Sequence, residues 1–182
     1  QALYLDCQNL NPETIPIFSD YTFMVIHSGS TRKLSEGKYN ERKKETELAS
    51  EILNVSSLRN ATKDNLELIK DGIIQKRARH VITENERVQK ATQYLKEDNA
   101  LEFGNLMNES HQSMDDDYEI SSPELNHVVN VSRRAGALGA RLTGAGFGGC
   151  VVLLLPSAKN DEIKENILKN CPHSYWVTNI KH

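Results

Sequence analysis

The chain contains few cysteines, and their spacing argues against the usual structural roles of that residue. Its 182 residues include three cysteines, Cys7, Cys150 and Cys171, which form no C-x-x-C pair. An odd number of widely spaced cysteines argues against a disulfide framework and against a cysteine-ligated zinc site. We therefore expect reduced thiols in a cytoplasmic protein.

Long apolar runs and blocks of like charge are also missing. The longest apolar run, at residues 151–155, is far too short to span a bilayer. The first residues, QALYLDC, have neither the basic nor the long apolar region of a signal peptide. The formal net charge is −3 without a basic cluster, which argues against nucleic acid as a partner. The sequence predicts no membrane partner either.

The apolar residues that are present place strands at both ends of the chain. Alternating or β-branched runs predict strands at residues 2–6, 22–27, 150–155 and 174–178. The proline-containing segment at residues 9–16 is interpreted as a loop.

Helices are predicted for the middle of the chain. The clearest has apolar residues three and four apart at residues 73–96. Further helices are expected at residues 36–53, at 64–70 with Asp64 as N-cap, at 100–110, from Pro123 with Ser121 or Ser122 as cap, and at 161–168. Strands at the ends and helices between them predict an α+β fold, a small, mainly antiparallel sheet with helices packed on it.

Four of the six residues 144–149 are glycine, and a strand-like run follows them. Gly144, Gly146 and Gly149 spell G-x-G-x-x-G, but a dinucleotide loop leads into a helix and a Walker A loop ends in Gly-Lys-Ser/Thr. Two interpretations remain. The loop is a structural turn, or it lines a ligand site where backbone amides approach an anion. The residues alone favour the structural turn.

Three polar residues share one face of the predicted long helix. His80, Glu84 and Arg87 are spaced four and three apart, which suits a catalytic or metal cluster or a hydrogen-bonded network that fixes helix packing. The network is the favoured interpretation, and His111 is also interpreted as structural.

Asp115, Asp116 and Asp117 form an acidic run. Magnesium binding is one interpretation, but three adjacent carboxylates in a helix do not all face one ion. A solvated turn is favoured.

Four segments of the chain resemble motifs of a single family, in the same order. They are KLSEGKYNERKKE (33–45), RARHVITENERV (77–88), LMNESHQSMDDDYEISSPELN (106–126) and GARLTGAGFGGCVVLL (139–154). The last resembles the third glycine motif of galactokinases, within the GHMP family of small-molecule kinases. The resemblance covers essentially the whole chain.

The resemblance implies a GHMP kinase C-terminal domain over residues 1–182, as a piece of a longer protein. The family's Gly-Glu-His sugar motif, its P-x-G-x-G-L-S-S-S-A phosphate loop and its catalytic Asp are missing here. We therefore expect no catalytic residue and no metal ligand in this chain, and no kinase activity from it alone. The intact protein is expected to transfer the γ-phosphoryl group of ATP to the anomeric hydroxyl of galactose or a close relative. ATP and Mg²⁺ would be bound mainly by the N-terminal half.

The same resemblance implies the site residues. It places Tyr39 at the sugar-binding tyrosine, where the residues alone suggest ordinary packing. It places a glycine loop beside the active-site cleft, where it would support the phosphate loop; its residues are Thr143, Gly144, Ala145, Gly146, Phe147, Gly148 and Gly149. Whether the Thr143 hydroxyl contacts ligand or only ends a strand stays open.

Two departures from the family pattern bear on the function. Glu36-Gly37-Lys38-Tyr39 stands where the family has Ser-Ser-Glu-Tyr, and residues 28–33 look shortened, which puts the identity of the sugar in doubt. Asp115 replaces a family arginine. An alternative function is a non-catalytic sugar and ATP sensor that binds a regulator protein. We also expect an apolar face where the protein's own N-terminal half docks, and hence self-association of this chain.

Overall fold

In the computed structural model, which describes residues 1–31 and 35–180, strands flank a helical middle. The strands of this part of the chain are β1 (Ala2–Asp6), β2 (Asn11–Ile15), β3 (Tyr21–His27), β4 (Gly139–Thr143), β5 (Cys150–Pro156) and β6 (Tyr175–Ile180). The α-helices are α1 (Ser35–Ile52), α2 (Gly72–Lys96), α3 (Ala100–Asp116), α4 (Pro123–Ala135) and α5 (Asn160–Asn170).

Four strands from both ends of the chain form one antiparallel sheet in the order β4-β5-β3-β6. Val25 of β3 lies opposite Val152 of β5, and Leu142 of β4 lies opposite Val151. The strongly apolar β5 occupies an inner position, with a neighbour on each side. The α+β prediction with a mainly antiparallel sheet is confirmed.

One face of this sheet carries the main hydrophobic core. Successive side chains of a strand alternate between faces, so Met24 and Ile26 of β3 lie on the same side as Leu153 of β5. Helices α4 and α5 cover this face with Leu125 and Ile163, both almost fully buried.

Helix α3 packs against the other face at very short range. Phe103 of α3 makes an edge contact with Phe23 of β3 at 5.8 Å between ring centroids. A Cβ atom added at Gly104 would lie 2.7 Å from the Leu138 carbonyl oxygen, and one added at Gly139 would lie 2.8 Å from the Gly104 Cα. The close approach of α3 to β4 therefore requires glycine on both elements.

A second core joins α1 and α2. It includes Ala49, Ala78 and Ile82, all buried between the two helices and a pair of short 3₁₀ segments, Leu58–Asn60 and Lys63–Leu68. The first turn of α2 is capped by Asp71, whose Oδ1 accepts the amide protons of Ile73 and Ile74. This core holds α1 and α2 together beside the sheet.

The expected loop at residues 9–16 is wrong in part, because β2 lies within it. β2 pairs antiparallel with β1, and Pro12 stands opposite Leu5. A proline is tolerated on an edge strand because its missing N–H is not needed by a second neighbour. The pairing with β1 thus outweighs the loop-like composition.

Two helix predictions also need correction. Residues 64–70 do not form an α-helix capped by Asp64; Lys63–Leu68 is a 3₁₀ helix whose N-cap is Thr62. Helix α3 continues beyond Ser110 to Asp116 because its second half packs on α2 and β4. The cap before Pro123 is Ser122, as one of the two expected serines.

None of the described helices combines the length and apolarity that crossing a membrane requires.

Candidate functional site

The glycine loop connects β4 to β5 through a backbone that few side chains tolerate. The strand ladder ends at the pair Thr143 and Cys150. Between them φ is positive at Gly144, Gly146, Phe147, Gly148 and Gly149. Glycine adopts this left-handed region without the steric cost that a Cβ atom brings. The density of glycines thus has a conformational cause, whichever ligand the loop faces.

One side of the loop lies directly on the turn that follows α3. The Phe147 amide donates to the Ile120 carbonyl at 2.7 Å. A Cβ atom added at Gly146 would lie 2.3 Å from that same oxygen, so the loop can approach the turn only with glycine there. Ile120 therefore supports the middle of the loop.

The other side of the loop lies on the turn that follows β3. The Gly149 amide donates to the Ser30 carbonyl at 3.1 Å, and the Ser28 amide donates to the Gly149 carbonyl at 2.8 Å. Gly29, between the two serines, packs against His173, where an added Cβ atom would lie 2.4 Å from the carbonyl oxygen. Three turns thus interlock around the buried end of the loop.

The start of the loop is open to solvent, unlike its buried end. Gly144 and Ala145 are exposed, whereas Gly146 is buried. Thr143, half-buried before them, lines a cleft of about 250 Å³ together with Arg141. The loop therefore has a supported, structural part and an exposed part whose backbone can meet a ligand.

Tyr39 lies on the first turns of α1. Its side chain is 57% exposed. The ammonium group of the neighbouring Lys38 stands 5.2 Å from the centroid of the Phe147 ring, in a cation–π contact. The structure thus places the start of α1 beside the loop, while the sugar-binding role of Tyr39 stays a prediction. Lys33 and Leu34, at the start of the same quoted segment, lie outside the described residues.

His80 is buried between α2 and α3. Its ring stacks on Tyr118 at 4.5 Å between centroids, and its Nδ1 shares a hydrogen bond of 3.0 Å with the Ser113 hydroxyl. Burial disfavours the charged imidazolium and lowers the pKa of His80 to about 4. The ring is therefore neutral at physiological pH and serves packing.

Glu84, one turn further along α2, holds three partners. It accepts hydrogen bonds from Ser110 at 2.6 Å, from Arg141 at 2.9 Å and from Arg87 at 2.7 Å. Burial raises the pKa of Glu84, but Arg141, Ser110 and Arg87 outweigh it and hold the pKa below its ordinary value. Across the described residues no group of side chains has the geometry of a metal site. The arrangement agrees with the network interpretation.

His111 is likewise a structural residue. It is buried, its Nδ1 accepts the Leu142 amide proton at 3.3 Å, and its Nε2 shares a hydrogen bond of 3.1 Å with Asn126. Burial lowers the pKa of His111. The ring links α3 to β4 and α4.

The acidic run Asp115–Asp117 was expected to form a solvated turn, and this expectation is wrong. Asp115 and Asp116 belong to the last turn of α3, and Asp117 is its C-cap. Asp115 accepts a hydrogen bond from the Asn126 side-chain amide at 2.8 Å, and Asp117 pairs with Arg79 at 3.1 Å. Partners on α4 and α2 therefore hold two of the three carboxylates, which point to different neighbours.

Sequence reasoning did not single out the residues that support the loop. Ser28, Ser30 and Ile120 act through backbone atoms, so their side chains carry no signal. Glu45 and Glu119 belong to quoted motifs and converge on one arginine, Arg77. Glu45, Arg77 and Glu119 each lie in a different one of the family-like motifs, and this was the signal that could have singled them out.

Comparison with known proteins agrees with this architecture. Residues 91–173 match the family described as GHMP kinases C terminal. The chain is similar to the galactokinase of Clostridium perfringens, 41% identical over 177 residues that make up 92% of this chain and 46% of the relative. It is also similar to the galactokinase of Actinobacillus pleuropneumoniae, 36% identical over 93% of this chain and 46% of the relative.

Solved structures show the same likeness. The crystal structure of Lactococcus lactis galactokinase complexed with galactose aligns with a TM-score of 0.90 and 32% identity, over 97% of this chain and 50% of that one. The mevalonate kinase of L. major in complex with R-mevalonate aligns with a TM-score of 0.67 and 22% identity, over 91% of this chain and 44% of that one, and shares the fold alone.

The chain spans about half the length of the curated relatives it matches. Residues 91–173 therefore match the C-terminal family of GHMP kinases, and more than nine tenths of the chain is similar to about half of known galactokinases.

Proposed function

We propose that this chain is the C-terminal domain of a galactokinase-type sugar kinase. The intact protein would transfer the γ-phosphoryl group of ATP to the anomeric hydroxyl of galactose or a close relative. The observation that carries the proposal is the similarity to proteins named galactokinase over 92% of the chain, at up to 41% identity. The structural likeness to a galactokinase complexed with galactose supports the same sugar class.

In this proposal the chain contributes binding surface rather than the proton-transfer group. The exposed phenol of Tyr39 offers a donor and acceptor to a sugar hydroxyl, and its ring offers a face for the sugar. The exposed backbone at Gly144 and Ala145 offers close approach to phosphate or to a phosphate-binding loop. Residues 143–149 contain no carboxylate, imidazole or amine, so a general base must come from elsewhere.

ATP and Mg²⁺ are assigned mainly to the N-terminal half that galactokinases carry. Magnesium would offset charge on the transferring phosphoryl group. The described residues hold no group of His, Cys, Asp or Glu side chains arranged to bind a metal ion. The cysteines are free, as suits a reducing compartment such as the cytoplasm.

The β1–β2 hairpin supports docking of this chain onto an N-terminal half. It is a two-stranded sheet in the described part of the chain, and isolated hairpins are marginally stable. Leu3 and Leu5 are exposed by 65% and 45% on the same side of β1. A second body that pairs with the free strand edge or covers these leucines would stabilise the hairpin.

The experiment measures sugar-dependent ADP release. We expect the intact protein, in which this chain is joined to its N-terminal half, to release ADP with galactose. The isolated chain should release no more than a no-protein control. Sugar binding by the intact protein without turnover would instead identify the sensor, and turnover by the isolated chain would overturn the assignment of roles.

Two matched variants test Tyr39. Tyr39→Phe removes one hydroxyl and is expected to lower kcat/KM for galactose about tenfold, because one hydrogen bond to substrate is lost. Tyr175→Phe is the control, since Tyr175 is equally exposed, at 56% against 57%, but stacks on His27. Equal kinetics for the two variants would remove Tyr39 from the site.

A further inference from the structure

Arg77 on α2 is a charged residue with an almost completely buried side chain, 3% exposed. Its Nε donates to Glu45 at 2.8 Å, its Nη1 to the Asp117 carbonyl at 2.6 Å, and its Nη2 to Glu119 at 2.8 Å. One guanidinium therefore joins three elements, namely α1, α2 and the turn that follows α3.

The first partner connects Arg77 to the start of α1. Glu45 lies six positions after Tyr39 on the same helix, and a helix transmits position along its axis as a rigid rod. Arg42, between them, donates to Glu45 at 2.6 Å and lies 3.9 Å from Glu119. The location of Glu45 against Arg77 thus sets the location of Tyr39.

The other partners connect Arg77 to the glycine loop. The bonds to Asp117 and Glu119 hold the turn that ends at Ile120, whose carbonyl accepts the Phe147 amide proton. Glu119 has a φ of 53°, a conformation that a non-glycine residue keeps only when its surroundings hold it. Arg77 supplies two of those restraints.

The guanidinium group suits this position better than an ammonium group would. Burial by itself lowers the pKa of Arg77, but hydrogen bonds to Glu119 and Glu45 outweigh it and raise the pKa above its ordinary value. Arg77 thus stays charged. Its planar fork donates in three directions at once, whereas a lysine offers one compact charge.

We propose that Arg77 is a positioning residue that sets the distance between Tyr39 and the glycine loop, and so the fit of a sugar at their junction. The cation–π contact of Lys38 with Phe147, at 5.2 Å, also joins the start of α1 directly to the loop. The sugar part of this proposal rests on the proposed function. The mechanical part, from Arg77 through Ile120 to Phe147, stands on the hydrogen bonds alone.

The mechanical part is tested on the isolated chain by amide hydrogen exchange. Arg77→Lys is expected to accelerate exchange at the Phe147 amide at least tenfold more than at Leu153, an amide in the core of β5, because local opening of the loop precedes global unfolding. Arg59→Lys is the matched control, since Arg59 makes a two-bond pair with Asp6 of β1 at 2.6 and 2.8 Å. The control substitution should leave the exchange rate of the Phe147 amide unchanged.

A second variant covers the case in which Arg77→Lys fails to fold. Glu119→Ala removes one link to the turn and leaves the Arg77–Glu45 pair in place, and the Glu119 side chain is 49% exposed. We expect the same local acceleration at Phe147. If exchange at the Phe147 and Leu153 amides is accelerated by the same factor in these variants, the proposal is overturned.

The sugar part is tested by kinetics of the intact protein. Arg77→Lys should raise KM for galactose about tenfold and change kcat less than threefold. An unchanged KM overturns the positioning of the sugar. Should the unsubstituted intact protein turn over no galactose, the proposed function fails, and the exchange at Phe147 still decides the mechanical part.

Discussion

At the residue scale, His80 makes the fold sensitive to acid. The ring lies between Tyr118 and Ser113 and faces charged groups on three elements, Glu84 and Arg87 on α2, Arg141 on β4 and Asp117 at the end of α3. Burial is the largest influence on the ring, and its pKa falls from 6.5 to about 4 in the folded chain. The unfolded chain therefore binds a proton at a pH where the folded chain does not.

The sign of the pH effect follows from that difference. Above pH 6.5 His80 is neutral in both states, so its lowered pKa does not change the free energy of unfolding. As the pH falls from about 6.5 towards 4, the unfolded chain takes up the proton first and the free energy of unfolding decreases. His80→Asn removes the titration and keeps a polar atom near the Ser113 hydroxyl. We expect the variant to lose up to about 3 kcal/mol less stability than the unsubstituted chain over this interval.

Urea unfolding at pH 7, 6, 5 and 4 measures this difference. His173→Asn, at an exposed position, is the control and should follow the unsubstituted chain. His111, whose pKa burial also lowers, leaves part of the pH dependence in every variant. Parallel curves for His80→Asn and the unsubstituted chain would contradict the prediction.

At the element scale, the start of α2 depends on one carboxylate. Asp71 Oδ1 accepts the amide protons of Ile73 at 2.8 Å and Ile74 at 3.1 Å. These are amides that a helix cannot satisfy internally, and the carboxylate also faces the positive end of the helix dipole. Helix α2 carries Arg77, His80 and Glu84, so its start matters to the whole support of the loop.

Asp71→Ala is expected to lower the free energy of unfolding by about 1–2 kcal/mol. Asp64→Ala is the matched control, because the structure gives the cap of the preceding 3₁₀ helix to Thr62. A change within about 0.5 kcal/mol is expected there. Thermal or urea unfolding of both variants checks this, and equal losses would contradict the assignment of the caps.

At the scale of the whole molecule, the β1–β2 hairpin is a largely exposed element. Leu3 and Leu5 lie exposed on one side of β1. Ion pairs tie the hairpin to the rest of the chain, Asp6 to Arg59 at 2.6 Å and Glu13 to Lys96 at 2.7 Å. An apolar face on a strand with a free edge favours association with another chain.

We therefore expect the isolated chain to self-associate with increasing concentration in sedimentation velocity. The double variant Leu3→Ser and Leu5→Ser should shift the chain to monomer. Leu101→Ser, a single exposed leucine on α3, should not. A concentration-independent monomer for the unsubstituted chain would contradict this prediction and weaken the case for a docking face.

Most of the strands and helices were predictable because their signals are local. The alternation at β1, the three-and-four spacing of α2 and the serine before Pro123 each occupy a short window of sequence. A strand directly after the glycine loop was also predictable, since a strand-like run follows the last glycine. The place of the glycine loop beside the active-site cleft and the contact of Tyr39 with a sugar stay predictions.

Other features depended on partners distant in sequence. β2 exists because it pairs with β1, although its own residues resemble a loop. The second half of α3 is helical because it packs on α2 and β4, and the acidic residues at its end find partners on α2 and α4. No local pattern encodes such contacts, so composition alone gave a shorter helix and a solvated turn.

The sequence by itself determined the fold class, the place of the glycine loop and the likeness to galactokinases, because these depend on residue order and short-range periodicity. Only the tertiary structure decided which strands neighbour each other and which side chains meet. Glu45 and Glu119 reach Arg77 across 32 and 42 residues of chain. Such contacts form only when packing has already paid the entropy of closing those loops, and therefore no window of sequence reveals them.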